Sequence, residues 1–512
     1  MPSPAAVRPP ALNVLFVTVD QWRGDCLSAA GHPVVETPTL DRLAASGVRF
    51  ARHFAQAAPC GPSRASLYTG LYLMNHRSAT NGTPLDARFT NVALEARALG
   101  YDPALFGYTD TSIDPRTVAP DDPRLRSYEG VLPGFTAECH LPEGDPQPWL
   151  DWLTAHGYDL GSDWRAFVDR PTSDEPGAPT QYAAEHSQTK FLTDRVIDYV
   201  RDRASTRWFA HVSYLRPHPP FLAPEPYNAM YDPADVPVPV RAASRDDEAA
   251  QHPVAAMLVA HPLASAPDDD AEVRQLRATY YGMMSEVDDH LARLLDALRD
   301  TGQAERTIVV LTSDHGEMLG DHYLMHKLGW FDESFHVPLL VDDPRPEFDA
   351  SRGRVVDVFT EHVDVTPTIL DLLGATVPTQ CDGRTLTPWL RGDTPDDWRT
   401  EVHFEFDFRI PGSDLLERAF AITMEECALA VLRDDDGKYV QFSGHPQLPP
   451  LFFDLTADPT QTVNRADDPA CTARVLDYAQ RMLAWRMRHA DRTLSSIQLL
   501  PHGVVERHAP RR

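Results

Sequence analysis

The stretch Leu12-Asn13-Val14-Leu15-Phe16-Val17-Thr18-Val19-Asp20-Gln21 organises the fold of this chain. Its apolar part, residues 12–19, is short and rich in Val and Phe, which is the form of a central strand buried on both faces of a parallel sheet. The run ends in Asp20-Gln21, so two polar side chains are expected directly after the strand.

Similar apolar runs recur along the chain, separated by segments with helical periodicity. The strand candidates are Trp208–Tyr214, Thr307–Thr312 and Val337–Val341, and the helix candidates run from Pro38 to near Gly47, from Glu272 to Arg299 and from Val363 to Leu373. This alternation predicts an α/β fold with a mostly parallel central sheet flanked by helices. Chemistry is expected at the carboxyl ends of such strands, where Asp20, His218 and Asp314-His315 follow strand candidates and could converge.

The chain from about residue 400 has a different pattern. Short strand candidates (Ala428–Leu432, Tyr439–Phe442 and Leu451–Leu455) precede a helix candidate from Cys471 to Arg488. We therefore expect a catalytic domain over residues 1–398 and a smaller α+β unit with an extended tail over residues 399–512. Two Pro-rich acidic stretches, about 110–186 and 222–268, are too long for ordinary loops and are expected to cover the site or to contact another subunit.

The run Cys60-Gly61-Pro62-Ser63-Arg64-Ala65-Ser66-Leu67-Tyr68-Thr69-Gly70 carries the strongest chemical signal. Pro62 suits the first turn of a helix and Gly70 its end, so position 60 is predicted at the positive end of a short helix, where an anion is favoured. Arg64, one turn later, would face the same side. The alternative is an ordinary buried cysteine at a helix start.

This run resembles the sulfatase signature, in which an enzyme oxidises the cysteine to formylglycine. The resemblance implies a member of the formylglycine-dependent hydrolases of the alkaline phosphatase superfamily, namely sulfatases and phosphonate monoester hydrolases. It also implies that the hydrated aldehyde at position 60 attacks sulfur or phosphorus, and that a formylglycine-generating enzyme acts during maturation. The late element Phe452-Phe453-Asp454-Leu455 and the tail extend the likeness over most of the chain, and the tail is more similar to phosphonate monoester hydrolases.

The same resemblance implies one divalent metal ion. Ser313-Asp314-His315-Gly316-Glu317 resembles the "SDHGE" element of the family, and the implied ligands are Asp20, Gln21, Cys60, Asp314 and His315. Carboxylates with one imidazole suit Mn²⁺, which we favour, or Ca²⁺, Mg²⁺ or Zn²⁺. Gln21 stands where many sulfatases carry a second Asp, which removes one negative charge. Each Asp taken alone could instead cap the loop after its strand.

Further residues are implied around the anion. Cys60, Arg64, His218 and Lys327 are the predicted catalytic residues, with His218 exchanging a proton during product release and Lys327 binding the anionic group. Asn81, Tyr108 and Thr111 are the predicted substrate-binding residues. The choice among Thr109, Asp110 and Thr111 as the residue facing the site stays open. A lone lysine is more often a surface residue, and a histidine beside prolines is more often structural.

Composition narrows the partners. The 47 Lys and Arg residues against 75 Asp and Glu residues give a net charge of −28, which predicts no nucleic-acid and no membrane partner. Six scattered cysteines without paired spacing, and no signal-peptide or membrane-spanning run, predict a cytoplasmic protein. Leu494, Ile497, Leu499 and Leu500 in the otherwise charged tail predict a homo-oligomer, a dimer or a tetramer.

The predicted function is hydrolysis of small anionic esters: phosphonate monoesters, phosphodiesters and sulfate monoesters. An arylsulfatase with weak promiscuous phosphodiesterase activity is the alternative. Two rivals are a phosphatase or mutase with an unmodified nucleophile, which Cys60 in place of Ser or Thr disfavours, and a binding protein that kept the fold but lost turnover.

Overall fold

The computed structural model describes residues 12–409, 412, 414–491 and 494–506. Its strands are β1 Asn13–Val19, β2 Val48–Phe54, β3 Ala57–Ala58, β4 Pro103–Gly107, β5 Thr136–His140, β6 Phe209–Tyr214, β7 Thr307–Ser313, β8 His336–Asp342, β9 Arg354–Glu361, β10 Val402–Asp407, β11 Ala428–Arg433, β12 Gly437–Phe442, β13 Leu451–Asp454, β14 Ile497–Leu500 and β15 Gly503–Glu506.

The helices are α1 Pro38–Ser46, α2 Cys60–Thr69, α3 Leu73–His76, α4 Val92–Ala98, α5 Gln147–Ala155, α6 Arg165–Val168, α7 Gln188–Asp202, α8 Arg245–Ala250, α9 Pro253–Ala260, α10 Asp270–Asp300, α11 Asp332–Phe335, α12 Val365–Leu372, α13 Thr387–Leu390, α14 Leu415–Phe420 and α15 Thr472–His489. Among the described residues, no helix is both long and apolar enough to cross a membrane.

The central sheet has eight strands in the order β5-β4-β6-β1-β7-β8-β2-β9. The prediction of a mostly parallel sheet is confirmed: β1 pairs in parallel with β6 and β7, whereas β8 is antiparallel to both of its neighbours. The chain leaves β7 at its carboxyl end and enters β8 without crossing the sheet. Residues 314–335 therefore stay at the edge where the parallel strands end.

Side chains of β1 alternate between two apolar layers, since successive residues of a strand point to opposite faces. Leu15, Val17 and Val19 pack with residues of α7 and α10, while Val14 and Phe16 pack with residues of α2, α4 and α12. Burial on both faces explains why the strand reads as an uninterrupted apolar run.

A second sheet has the order β13-β12-β11-β10-β3. The expected strands and helix after residue 400 are present, and Tyr478 and Met482 of α15 pack against Tyr439 and Phe452 of this sheet. Its strand β3 lies just before Cys60 and pairs in parallel with β10. The division at residues 398 and 399 stays a prediction, and the second sheet combines β3 from before it with the four strands β10 to β13 from after it.

The two long stretches are not plain loops. The first supplies β5, which extends the central sheet, together with α5 and α6, and the second supplies α8 and α9. The first stretch also brings two of its residues to the carboxyl end of β4: the Leu141 N–H donates to the Gly107 carbonyl at 2.9 Å, and the Gly130 carbonyl accepts from the Thr111 N–H at 3.2 Å.

Candidate active site

Cys60 opens α2, as predicted, and the helix ends at Gly70 with a left-handed φ of 71°. Every residue of α2 is buried. Gly61 allows a close approach, because a Cβ there would lie 3.0 Å from Asn81 Oδ1. The Gly61 N–H donates a 2.8 Å hydrogen bond to this oxygen.

Four side chains meet at the ends of β1 and β7 and the start of α2. Asp20, Cys60, Asp314 and His315 are buried, and one ligand atom from each lies within 4.8 Å of the others. The predicted convergence of Asp20 with Asp314-His315 is therefore present, and it includes Cys60.

These four residues fit a divalent cation. Asp20 Oδ1 is buried and has no hydrogen-bond partner. His315 Nδ1 lies 3.0 Å from the Gly316 carbonyl oxygen, which can only accept, so Nε2 carries the lone pair on the side of the carboxylates. Burial also lowers the pKa of His315, which keeps the imidazole neutral and able to ligate a metal.

The thiol of Cys60 is a poor nucleophile in these surroundings. Burial, followed by the charge of Asp20, raises its pKa well above the ordinary value. Its Sγ lies 3.2 Å from His315 Nε2. The carboxylates around Cys60 disfavour a negatively charged thiolate. The chemistry at position 60 is therefore expected not to use a thiolate.

Arg64 is fully buried beneath the cluster. Its Nε donates to Asp314 Oδ2 at 2.9 Å and its Nη2 donates to Asp20 Oδ2 at 3.1 Å. Its Nη1 donates to Ser213 Oγ at 2.8 Å. These contacts indicate a residue that positions and neutralises two carboxylates, and its predicted catalytic role stays a prediction.

Tyr108 lies on the other side of Asp20. Its hydroxyl donates to Asp20 Oδ2 at 2.5 Å, and its ring lies 4.4 Å from the Arg64 guanidinium carbon. Tyr108 is 2% exposed, and its hydroxyl points toward Asp20, a candidate metal ligand. The predicted role of Tyr108 in substrate binding stays a prediction.

Gln21 joins the cluster through two kinds of contact. Its backbone N–H donates to Asp314 Oδ1 at 3.1 Å, and its side-chain carbonyl accepts from Lys327 Nζ at 2.6 Å. Its side-chain amide donates to Glu317. The side chain thus bridges a lysine and a glutamate, and its predicted role as a metal ligand stays a prediction.

Lys327 and His218 lie beside the cluster, and both are partly exposed. The carboxylates of Asp20 and Asp314 and the nearby Cys60 raise the pKa of Lys327 against the effect of burial, so the ammonium is charged. Burial and the Lys327 charge lower the pKa of His218 well below its ordinary value. Since His218 Nδ1 lies 2.8 Å from the Pro219 carbonyl oxygen, its Nε2 is the atom able to accept a proton.

The loop after β4 separates its three polar residues. Thr109 Oγ1 donates to the Gly130 carbonyl at 2.9 Å, and Thr111 Oγ1 donates to the Thr109 carbonyl at 3.2 Å. Asp110 has a left-handed φ of 47°, and burial raises the pKa of its carboxyl group well above the ordinary value. The substrate-binding role of Thr111 therefore stays a prediction, and the structure gives its hydroxyl a partner within the loop.

Three residues that the sequence reasoning did not choose lie beside the cluster: Glu317, Ser63 and His362. Glu317 accepts the Gln21 amide and also the backbone N–H of Leu319 at 2.9 Å. Ser63 donates to the Asp314 carbonyl and lies 3.2 Å from His362 Nδ1. Glu317 could have been predicted from the sequence, because it is the last residue of the "SDHGE" element. No sequence pattern singles out His362.

Comparison with known proteins agrees with this arrangement. The sequence pattern described as Sulfatase matches residues 12–375, and the pattern described as N-sulphoglucosamine sulphohydrolase, C-terminal, matches residues 320–488. The chain belongs to the sulfatase family. Resemblance to this family, predicted from Cys60–Gly70, is thereby confirmed, and its members hydrolyse sulfuric and phosphoric esters.

Several relatives match over nearly the whole chain. The multifunctional alkaline phosphatase superfamily protein PehA of Trinickia caryophylli is 44% identical over 97% of this chain and 99% of its own length. The phosphonate monoester hydrolase structure of Agrobacterium radiobacter has a TM-score of 0.92 at 46% identity, covering 97% of this chain and 100% of that one. The phosphonate monoester hydrolase SpPMH from Silicibacter pomeroyi has a TM-score of 0.92 at 40% identity, with 97% and 99% covered.

Proposed function

We propose that this protein is a formylglycine- and metal-dependent hydrolase of singly charged esters, with phosphonate monoesters and phosphodiesters preferred over sulfate monoesters. The observation that carries this proposal is the buried cluster of Asp20, Cys60, Asp314 and His315 at the start of α2. The similarity to two phosphonate monoester hydrolases at 40–46% identity supports the order of substrates.

The cluster residues have distinct tasks in this proposal. Asp20, Asp314, His315 and position 60, with Gln21 assisting, would hold one divalent ion, for which we favour Mn²⁺. Such an ion lowers the pKa of a nearby hydroxyl and withdraws charge from the oxygens of the ester. The hydroxyl of a hydrated aldehyde at position 60 serves as the nucleophile.

The remaining residues bind charge and move a proton. Lys327 presents an ammonium to the ester oxygens while its hydrogen bond to Gln21 fixes its position. His218, neutral and with Nε2 able to accept, takes a proton when the product leaves. Asn81 accepts from Gly61 through Oδ1, which leaves its NH₂ group to donate to a substrate oxygen.

Charge explains the preference for monoanions. Arg64 is already paired with Asp20 and Asp314, so Lys327 and the metal ion supply the positive charge that meets the substrate. Gln21 adds none of the negative charge that a second Asp would bring, but its carbonyl oxygen takes one hydrogen bond of the Lys327 ammonium at 2.6 Å. A dianionic phosphate monoester needs more cationic partners than this site offers.

One comparison tests the substrate order. We would measure kcat/KM for a phenyl phosphonate, a phosphodiester, a sulfate and a phosphate monoester that share one leaving group. The phosphonate and the diester are expected to lead. A lead for the phosphate monoester would refute the charge argument, and a lead for the sulfate would favour an arylsulfatase with weak phosphodiesterase activity.

Assembly and compartment belong to the same proposal. Leu494, Leu499 and Val504 lie on or beside the β14-β15 hairpin and are 69–81% exposed, which supports a homo-oligomer in which this hairpin packs on a second copy. No disulfide links the six cysteines, all of which lie in the described ranges, and this supports the cytoplasm. Light scattering on the chain truncated after Arg488 should give a smaller assembly.

A further inference from the structure

Asp110 is a carboxylic acid held beside the nucleophile without a partner. It is 9% exposed, and no hydrogen bond or ion pair reaches its carboxyl group from the described part of the chain. Its neighbours are fixed by Gly130, since Thr109 Oγ1 and the Thr111 N–H both donate to the Gly130 carbonyl, at 2.9 and 3.2 Å. The loop is therefore held in place while the acid is left unpaired.

The position of Asp110 is next to Cys60. A Cβ added to Gly61 would lie 3.4 Å from the Asp110 carbonyl oxygen and 3.0 Å from Asn81 Oδ1. Asp110 is outside the cluster of four that could hold a metal ion. Arg64 does not pair with it, because its three nitrogens donate to Asp314, Asp20 and Ser213.

Two more residues of the same insertion lie in segments that hydrogen bonds connect to this loop, and with Asp110 they are named here the outer wall: Asp110, Tyr128 and Glu143. Glu143 is half-buried and directly precedes Gly144, whose N–H donates to Glu129 Oε1 at 2.7 Å. Tyr128 is 38% exposed, and it lies two residues before Gly130, whose carbonyl accepts from Thr109 and Thr111. Neither side chain has a hydrogen-bond partner within the described ranges.

A buried carboxylate is normally paired, because desolvation of the charge is costly. Burial and the neighbouring carboxylates raise the pKa of Asp110 well above the ordinary value for Asp. A protonated amine would supply the missing charge and three N–H donors, and an exposed aromatic face adds a further favourable contact with a cation.

We propose that the outer wall binds an ammonium group carried by the substrate, so that the preferred esters are zwitterions. This inference rests on the proposed function: the anionic phosphorus group meets Lys327 and position 60, and a primary amine on the ester's second substituent meets Asp110, with Glu143 and Tyr128 around it.

The test uses two isosteric diesters, 2-aminoethyl 4-nitrophenyl phosphate and propyl 4-nitrophenyl phosphate, in which a methyl group replaces the ammonium. The wild-type enzyme should have a kcat/KM roughly tenfold higher for the aminoethyl diester, the size of one hydrogen bond to a charged group. Asp110→Asn should bring this ratio close to one. Asp121→Asn removes the same charge from an exposed position of the same insertion and should keep the wild-type ratio.

A wild-type ratio near one would overturn the proposal, as would an Asp110→Asn enzyme that loses the same factor on both diesters. Titration calorimetry with 2-aminoethylphosphonate and propylphosphonate measures the same preference without turnover. Hydrolysis of neither diester would refute the proposed function, whereas equal affinities for the two phosphonates would refute the outer wall as an ammonium site.

Discussion

The floor of the site, formed by Asp20, Cys60, Arg64, Asp314 and His315, differs from the outer wall in how its charges are satisfied. In the floor, one arginine pairs with two carboxylates and all five residues are buried. In the outer wall, two carboxylic acids and a tyrosine have no partner in the described part of the chain. A buried charge that is paired stabilises the fold through its partner, whereas one without a partner weakens the fold until a ligand arrives.

The largest effect is expected at the nucleophile of the floor. Cys60→Ala should lower kcat roughly 10,000-fold or more, since the other residues act through position 60. Peptide mass spectrometry of active enzyme should find formylglycine there. Cys471→Ala, a buried cysteine at the start of α15, is the matched control and should keep turnover. Fully active enzyme with only unmodified cysteine at position 60 would contradict the aldehyde mechanism.

The second largest effect is expected when the Arg64 guanidinium, which pairs with both Asp20 and Asp314, is removed. Arg64→Met leaves Asp20 and Asp314 buried without their partner, so the free energy of unfolding of the metal-free protein should fall by about 3–5 kcal/mol. Denaturant unfolding in the presence of a chelator measures it. Arg195→Met, on the surface of α7, is the control and should change stability little. A stable Arg64→Met protein would show that the floor does not depend on this pairing.

Metal binding is the third test of the floor. Asp314→Asn should weaken metal affinity by roughly 100-fold. Loss of a residue that only hydrogen-bonds to a metal ligand typically costs about 10- to 100-fold, and loss of a ligand itself should cost at least as much. Elemental analysis after gel filtration measures occupancy, and treatment of the wild-type enzyme with a chelator should abolish turnover. Activity in a sample shown to be free of metal would refute the metal site.

A substitution in the outer wall should stabilise the fold, whereas Arg64→Met in the floor should destabilise it. Asp110→Asn should raise the free energy of unfolding by about 1 kcal/mol at pH 8, because the asparagine cannot ionise in a buried position. The pKa of Asp110 is raised in the folded state, so the unfolded wild-type chain ionises at a lower pH than the folded protein. The wild-type protein therefore loses stability as pH rises above the ordinary pKa of Asp. At pH 4 the stability advantage of the variant should be smaller. Thermal melts across this range would show it, and destabilisation at pH 8 would mean that Asp110 has an undetected partner.

The smallest effect is expected at Thr111. Its hydroxyl donates to the Thr109 carbonyl within the loop, so Thr111→Val should change kcat/KM by less than about twofold. Asp110→Asn, assayed on the same esters, provides the contrast. A large loss in Thr111→Val would restore the substrate-binding role predicted for Thr111.

Much of the floor could be predicted from the sequence, since its residues follow strands whose apolar runs are continuous. Strands β1 and β7 were expected within one residue of their observed ends, and their parallel pairing brings Asp20 to Asp314-His315. The positions of Cys60 and Arg64 could be predicted because both lie in the first turns of α2, where residues four apart share one face of the helix. Local sequence rules are sufficient where the side chain directly follows a regular element.

Tertiary structure alone decided the outer wall and several partners. The sequence left Thr109, Asp110 and Thr111 open, because the choice depends on Gly130, twenty or so residues away, which holds both threonines. The same applies to Tyr108, which follows β4 and contacts Asp20 after β1 with strand β6 between them, and to Gln21, whose carbonyl accepts from Lys327. The sequence by itself determined the family, the sheet and the chemical types at the strand ends. Hydrogen bonds between distant segments decided which way each loop side chain points, because no local periodicity constrains a loop.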